Sequence, residues 1–265
     1  MAYGKPRGFG PWALIAALGV IATAVVMRSV GADWRTASRE SAGIAPDPQM
    51  VKEAVVQIYA ARAYAWRGAF GVHTWIAVKP TDAEHYTVYQ VIGWRAVRGM
   101  EALMVDQRPA DQRWFGAMPE LLVDLRGPDV DEVIARVDKA ARGYPHNGNY
   151  TVWPGPNSNS FVAHVAREVP ELRLDLPPTA IGKDYLPNGD IVARAPSGTG
   201  WQVSLFGLLG VLAAEKEGLE INILGLTFGV NPLQLAVKLP IVGRIAPSPP
   251  VERPEYLASG NGRGS

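Results

Sequence analysis

Apolar and polar positions alternate through the first half of the chain in a way that predicts strands separated by turns. Residues 51–63 cluster Val55, Val56, Ile58 and Tyr59 among polar positions, and predict one strand. Residues 73–79 predict a second, with His73, Trp75 and Ala77 on one face by period two. After the Pro80-Thr81-Asp82 turn, residues 86–94 predict a third. Three consecutive strands with short connections form an antiparallel meander. The pattern then changes period. Gly127-Pro128-Asp129 opens a helix with Pro in its first turn and acids following, and Gly143 ends it. Val130, Val133, Ile134 and Val137 are its apolar stripe. A second helix is expected from Ser158 or Ser160 through Arg167, with Phe161 and Val165 inward and Pro170 as its stop. Residues 144–159 are rich in Pro and Gly and predict irregular chain.

Residues 201–245 alternate Gly with Leu, Ile and Val, which predicts two or three further strands around Glu215-Lys216-Glu217-Gly218. Residues 203–214 are too few to span a bilayer, and a membrane-facing hairpin is the alternative there. At the N-terminus an uncharged run covers residues 11–27, preceded by Lys5 and Arg7 and closed by Arg28. At ~1.5 Å per helical residue it is just long enough for a hydrocarbon layer of ~30 Å. A signal anchor, a cleaved signal peptide and a buried helix all fit such a run. The two early cations and the want of a clear cleavage site favour a single-pass anchor in an inner membrane, with the body on the periplasmic side.

The chain thus divides into an anchor (1–28), a linker (29–50), an α+β domain (51–200), a β-rich extension (201–245) and a disordered tail (246–265). The 265 residues carry a net charge of +1, which calls for no nucleic acid. No cysteine is present, so disulfides, thiolate metal sites and thiol catalysis are excluded. His73, His85, His146 and His164 show no paired ligand spacing, and neither a metal nor a cofactor is expected.

A nucleophile needs a base within hydrogen-bond reach and a group to orient that base. Ser158 at a helix start and His73 on a strand supply the first two. Free N–H groups at the helix start favour an oxyanion. Ser160 competes with Ser158 as nucleophile. Asn157 and Asn159, with both serines, also fit a helix cap and its turns. Trp75 and Trp153 are expected in the core or as pocket walls that bind a ligand. Arg113, before Trp114-Phe115, is expected to pack, with a clamp on a carboxylate or phosphate as the alternative. Lys183 and Asp184 are expected as a surface ion pair.

His73-Thr74-Trp75-Ile76-Ala77-Val78 and Asn157-Ser158-Asn159-Ser160-Phe161-Val162 resemble the two motifs of the permuted papain-like superfamily, which includes lecithin retinol acyltransferase and its phospholipase relatives. In that group a strand histidine is followed much later by Asn-Cys-Glu-His-Phe-Val at a helix start. Aligning Phe161-Val162 puts Ser158 on the cysteine. The resemblance implies a papain-like fold of antiparallel sheet plus helices. It also implies His73 as base and a third polar residue on the next strand, at Gln90 with His85 as its rival by spacing.

A second resemblance spans more of the chain. Gly71-Val72-His73-Thr74-Trp75, Arg113-Trp114-Phe115-Gly116, residues 153–161 and residues 176–185 are similar to an uncharacterised bacterial family of membrane-anchored proteins, a domain of unknown function. The expectation is a membrane-anchored envelope protein with a degenerate papain-like domain. It acts as a non-catalytic accessory or binding module that holds a membrane-protein partner. The alternative is a serine-dependent amidase, peptidase or acyltransferase acting on cell-wall peptide or lipid.

Overall fold

The computed structural model describes residues 33–247. The anchor run and most of the tail therefore lie outside the described residues. No helix among the described residues is long and apolar enough to cross a membrane.

The chain is α+β, with two antiparallel sheets and few helices. The first sheet holds β1 (Val55–Arg62), β2 (Val72–Lys79), β3 (Thr87–Val91), β4 (Leu103–Gln107) and β5 (Glu120–Arg126), in the order β4-β3-β2-β1-β5. A short helix α1 (Gly93–Val97) follows β3. Two longer helices, α2 (Val130–Arg142) and α3 (Ser158–Glu168), lie on one face of this sheet. Ile58, Ile76 and Val78 meet Val133, Val137, Phe161 and Val165 there in one buried core. The opposite rows, Tyr59, Trp75, Ala77 and Val88, form a second core under the chain around Ala110 and Trp114. Both faces of the sheet are covered, which explains why β1 and β2 read as nearly continuous apolar runs.

The segment expected as a linker lies along this second core. Asp111 accepts from Ser41 Oγ (2.8 Å), Ile44 N (2.6 Å) and Ala45 N (3.1 Å), and Tyr86 OH donates to the Pro46 carbonyl at 3.0 Å.

The second sheet is a meander of seven strands in sequence order: β6 (Val192–Arg194), β7 (Gly200–Leu205), β8 (Leu209–Ala214), β9 (Gly218–Ile223), β10 (Leu226–Asn231), β11 (Ala236–Leu239) and β12 (Gly243–Ile245). The two or three strands expected in residues 201–245 are corrected to six, β7–β12, with β6 ahead of them. The alternation was real, but its polar members face inward. Gln202, Ser204, Glu220, Asn222, Thr227 and Lys238 are buried, while the residues between them are open.

The buried polar row meets residues 174–186. Lys183 pairs with Glu220 and with Asp184 (3.4 Å), and Lys238 joins Glu220 (2.6 Å) to Asp175 (2.5 Å). Gln202 and Asn222 donate to the Asp184 carboxylate. Lys183 and Asp184 are therefore buried, which corrects the expected surface pair. Burial alone would raise the Glu220 carboxyl and lower the two ammonium groups. The surrounding opposite charges win, holding Glu220 below and both lysines above their ordinary values.

Candidate functional site

The β2–β3 ladder runs only from Val78↔Thr87 to Ile76↔Tyr89. Beyond it the start of β2 and the end of β3 part, and one side-chain bond crosses the gap. His73 Nε2 lies 3.2 Å from Gln90 Oε1. An amide oxygen only accepts, so Nε2 carries the proton and Nδ1 keeps its lone pair. This brings Gln90, the residue that the papain-like resemblance implies, to His73, and leaves His85, its rival by spacing, exposed elsewhere. Gln90 Nε2 is buried and has no hydrogen-bond partner.

The His73 ring stacks on Trp114, with centroids 3.6 Å apart and planes inclined by 14°. Burial lowers its pKa to about 4, and the Gln90 bond opposes this only partly. The imidazole is therefore neutral at pH 7 and a weak proton acceptor. Nothing in the sequence pairs Trp114 with His73, because their contact forms across the second core.

Ser158 is the first residue of α3. Asn157 caps the helix: its Oδ1 accepts from Asn159 N (2.9 Å) and Ser160 N (3.3 Å), and Ser160 Oγ accepts from Asn157 N (2.7 Å). The Asn157 amide also donates to the Val152 and Ile181 carbonyls, both at 3.1 Å. Asn159 ties the same helix start to Val72 and Ile181, and accepts from Thr74 Oγ1. Ser160 is engaged with Tyr144 OH as well (2.9 Å), so its hydroxyl is structural. Neither Ser158 Oγ nor Ser158 N makes a hydrogen bond within the described residues.

Gly182 explains part of this arrangement. It sits at φ +98°, and a Cβ there would collide with the Asn157 carboxamide. Gly182→Ala is expected to dislodge the cap and lower stability by about 2 kcal/mol. A thermal melt checks this, and an unchanged midpoint would contradict the role given to Asn157.

His73, Ser158, Asn157, Asn159 and Trp153 line one cavity of about 670 Å³ at this open end of the sheet. They approach it differently. Thr74 Oγ1 reaches the Ser158 carbonyl (3.2 Å), so the even row of β2 faces α3, whereas His73 belongs to the odd row on the other face. Trp75 does not reach the cavity. It is wholly buried behind His73, donating to the Ala110 carbonyl at 2.7 Å, so of its two expected places it takes the core and not the wall of a binding pocket. Trp153 is half-exposed and donates to the Leu224 carbonyl at 2.9 Å. Other walls are aromatic: Trp66, Phe70, Trp94 and Tyr150.

A second cavity, also about 670 Å³, adjoins the first across Tyr64, Ile92, Trp94, Trp114 and Phe115. Arg39, Arg98, Arg108 and Arg113 line it. Arg108 pairs with Asp106, Arg39 lies 4.4 Å over Phe115 and Arg98 5.0 Å over Trp94. No Asp or Glu among the described residues lines either cavity. Among the described residues no three His, Asp or Glu side chains gather into a metal site.

No curated protein and no solved structure matches the chain. A family model described as "Protein of unknown function (DUF3750)" matches residues 53–185. The match begins just before β1, covers the first sheet with α2 and α3, and ends at the segment that meets the second sheet. Covering about half of the sequence, it shows that the chain belongs to the DUF3750 family.

Proposed function

We propose that this is a membrane-anchored envelope protein whose α+β body is a degenerate papain-like domain, and that its paired cavities hold an amphiphile without cleaving it. The ligand has an apolar body and an anionic end. The observation that carries this reading is the pair of adjoining cavities, one walled by aromatic side chains and the other by four arginines, with no carboxylate lining either. Aromatic walls fit the apolar body. Arg108 is held by Asp106, and the other three, which form no ion pair among the described residues, favour a carboxylate or phosphate. In the papain-like reading, His73 on β2, Gln90 on β3 and Ser158 at the start of α3 occupy the positions of base, orienting group and nucleophile. Residues 11–27 supply the anchor, and a membrane-protein partner fits the accessory role.

A second reading, a serine-dependent amidase, peptidase or acyltransferase acting on cell-wall peptide or lipid, draws on the free Ser158 hydroxyl and N–H. A non-catalytic site is favoured over it on three counts. No bond joins Ser158 to His73, Trp114 covers the ring, and burial depresses the basicity that a serine nucleophile requires.

Titrating the full-length protein with dodecyl phosphate, followed by tryptophan fluorescence, tests the proposal. Saturable binding is expected, weakened about tenfold in Arg113→Ala because one charge-assisted bond is lost. Dodecanol should bind more weakly than the phosphate. An absence of saturable binding, or equal affinity for the two compounds, would overturn the assignment.

A further inference from the structure

The outward face of the second sheet has an inverted polarity. Every exposed strand residue from β7 to β11 is apolar, Trp201, Val211, Ile221, Phe228, Val230 and Val237 among them. An antiparallel sheet with one face open to water normally turns its polar row outward. Here the polar row is inside and bonded to residues 174–186, so the sheet cannot turn over. The open side chains present on the order of 1,000 Å² of apolar surface, beyond the few hundred Å² usual for a monomeric soluble protein.

The hairpin tips at one end repeat the pattern. Phe206 (φ 53°), Leu224 (φ 53°) and Ile241 (φ 68°) all occupy left-handed backbone and are 67%, 61% and 46% exposed. Turns favour Gly, Asn or Asp at such positions, and a β-branched residue is rare there. Large apolar residues thus stand at tips where neither turn chemistry nor packing asks for them. The Leu224 tip also adjoins the first cavity through Trp153, which lines it, and the Ile241 tip is tied to Arg62, next to the lining residue Ala63. Trp153 Nε1 bonds the Leu224 carbonyl, and Arg62 Nη2 reaches the Ile241 carbonyl at 3.2 Å. The apolar surface therefore wraps from the sheet around its end to the cavity mouth, where Trp66, Trp94 and Trp153 are exposed. A lipid layer covers both the sheet face and this corner where side chains at the sheet's end sink into it.

Charge agrees. Arg194 lies 4.3 Å over Trp201, Arg98 5.0 Å over Trp94 and Arg67 5.6 Å over Trp66. Paired Trp and Arg suit the headgroup level of an anionic bilayer. The edge strands β6 and β12 leave backbone groups without sheet partners, which hydrocarbon does not tolerate. The sheet must therefore lie in the boundary between headgroups and acyl chains, not cross it. The uncharged run of residues 11–27 ends shortly before the first described residue, which keeps the body near any membrane that the run enters.

We infer that the outward face of β7–β11, with the tips at Phe206, Leu224 and Ile241, rests on an anionic lipid bilayer and holds the mouth of the first cavity at lipid level. This inference rests on the membrane placement proposed above. It does not depend on whether Ser158 reacts.

The chain has no cysteine, so one introduced thiol is a unique label site. Full-length protein carrying a nitroxide at Ile221→Cys, Leu224→Cys or, as control, Glu215→Cys is mixed with phosphatidylcholine vesicles containing phosphatidylglycerol. At 221 and 224 the ratio of oxygen to nickel-complex accessibility should rise several-fold on adding vesicles, with little change at 215. Leu224→Asn in the Ile221→Cys background supplies the residue that the turn prefers. It should melt no lower, yet show a smaller rise at 221. Protein that floats with vesicles while 221 and 224 stay as open to nickel as 215 would overturn the sheet surface alone. Protein that does not float would overturn the membrane placement with it. Spin–spin broadening at 221 without lipid would assign the face to a second copy instead.

Discussion

Glu220→Gln is expected to destabilise the protein by about 3–5 kcal/mol, the usual cost of leaving buried charges without their partner. The Glu220 carboxylate touches both Lys183 and Lys238, and all three side chains are almost wholly buried. Glutamine keeps the shape and removes the charge. Asp184 and Asp175 remain near the two lysines, so the loss falls short of two isolated buried ammonium groups. Because this network joins residues 174–186 to the second sheet, the sheet should loosen before the first sheet does. Urea unfolding measures the loss, and hydrogen exchange locates it. A loss below about 1 kcal/mol would mean that water reaches the network and that the two sheets are held by other contacts.

The second large effect is a dependence on pH that the intact protein partly conceals. Burial takes His73 from 6.5 to about 4. Between these values the unfolded chain binds a proton that the folded chain refuses. Stability therefore falls as pH drops from 6.5 to about 4, by about 3 kcal/mol in all. Glu217 acts in the opposite sense. Burial and the nearby Asp175 charge raise it from 4.5 to about 7, although Ser197 N and Oγ donate to it. Its contribution is complete below 4.5 and is lost as pH rises to about 7, by a similar amount. From 4.5 to 6.5 the two slopes offset. His73→Gln should therefore uncover stability that falls with rising pH, and Glu217→Gln stability that rises with it. Unfolding free energies measured across this range should change by about 3 kcal/mol in each variant, in opposite directions, so the two diverge by about 5 kcal/mol from one end to the other. Parallel profiles would contradict the burial of either group.

What could be read in advance follows from which side of each element is apolar. In β1, β2, α2 and α3 the apolar residues face a core, so their periodicity marks the elements directly. The papain-like resemblance put Gln90 near His73, and the β2–β3 register, which pairs Ile76 with Tyr89, sets the two on one face of the sheet. The second sheet was not within reach, because its apolar row points away from the protein and its tips carry Phe206, Leu224 and Ile241 in place of turn formers. Lys183 next to Asp184 looked like a local pair. Its decisive partner, Glu220, is a strand residue distant in sequence. Trp75 and Trp114 divide the role expected of Trp75 alone: Trp75 supports from within the core, and Trp114 lies against the histidine and lines both cavities.

In the proposed function the cavity beside His73 binds its ligand and does not turn it over. The most direct measurement is the intact mass of the full-length protein after prolonged exposure to a fluorophosphonate, with Ser158→Ala and His73→Gln treated in parallel. No adduct on wild type beyond that on Ser158→Ala is the expected result. Stoichiometric labelling of wild type, mapped to Ser158 and lost in both variants, would contradict the account and establish a working nucleophile and base.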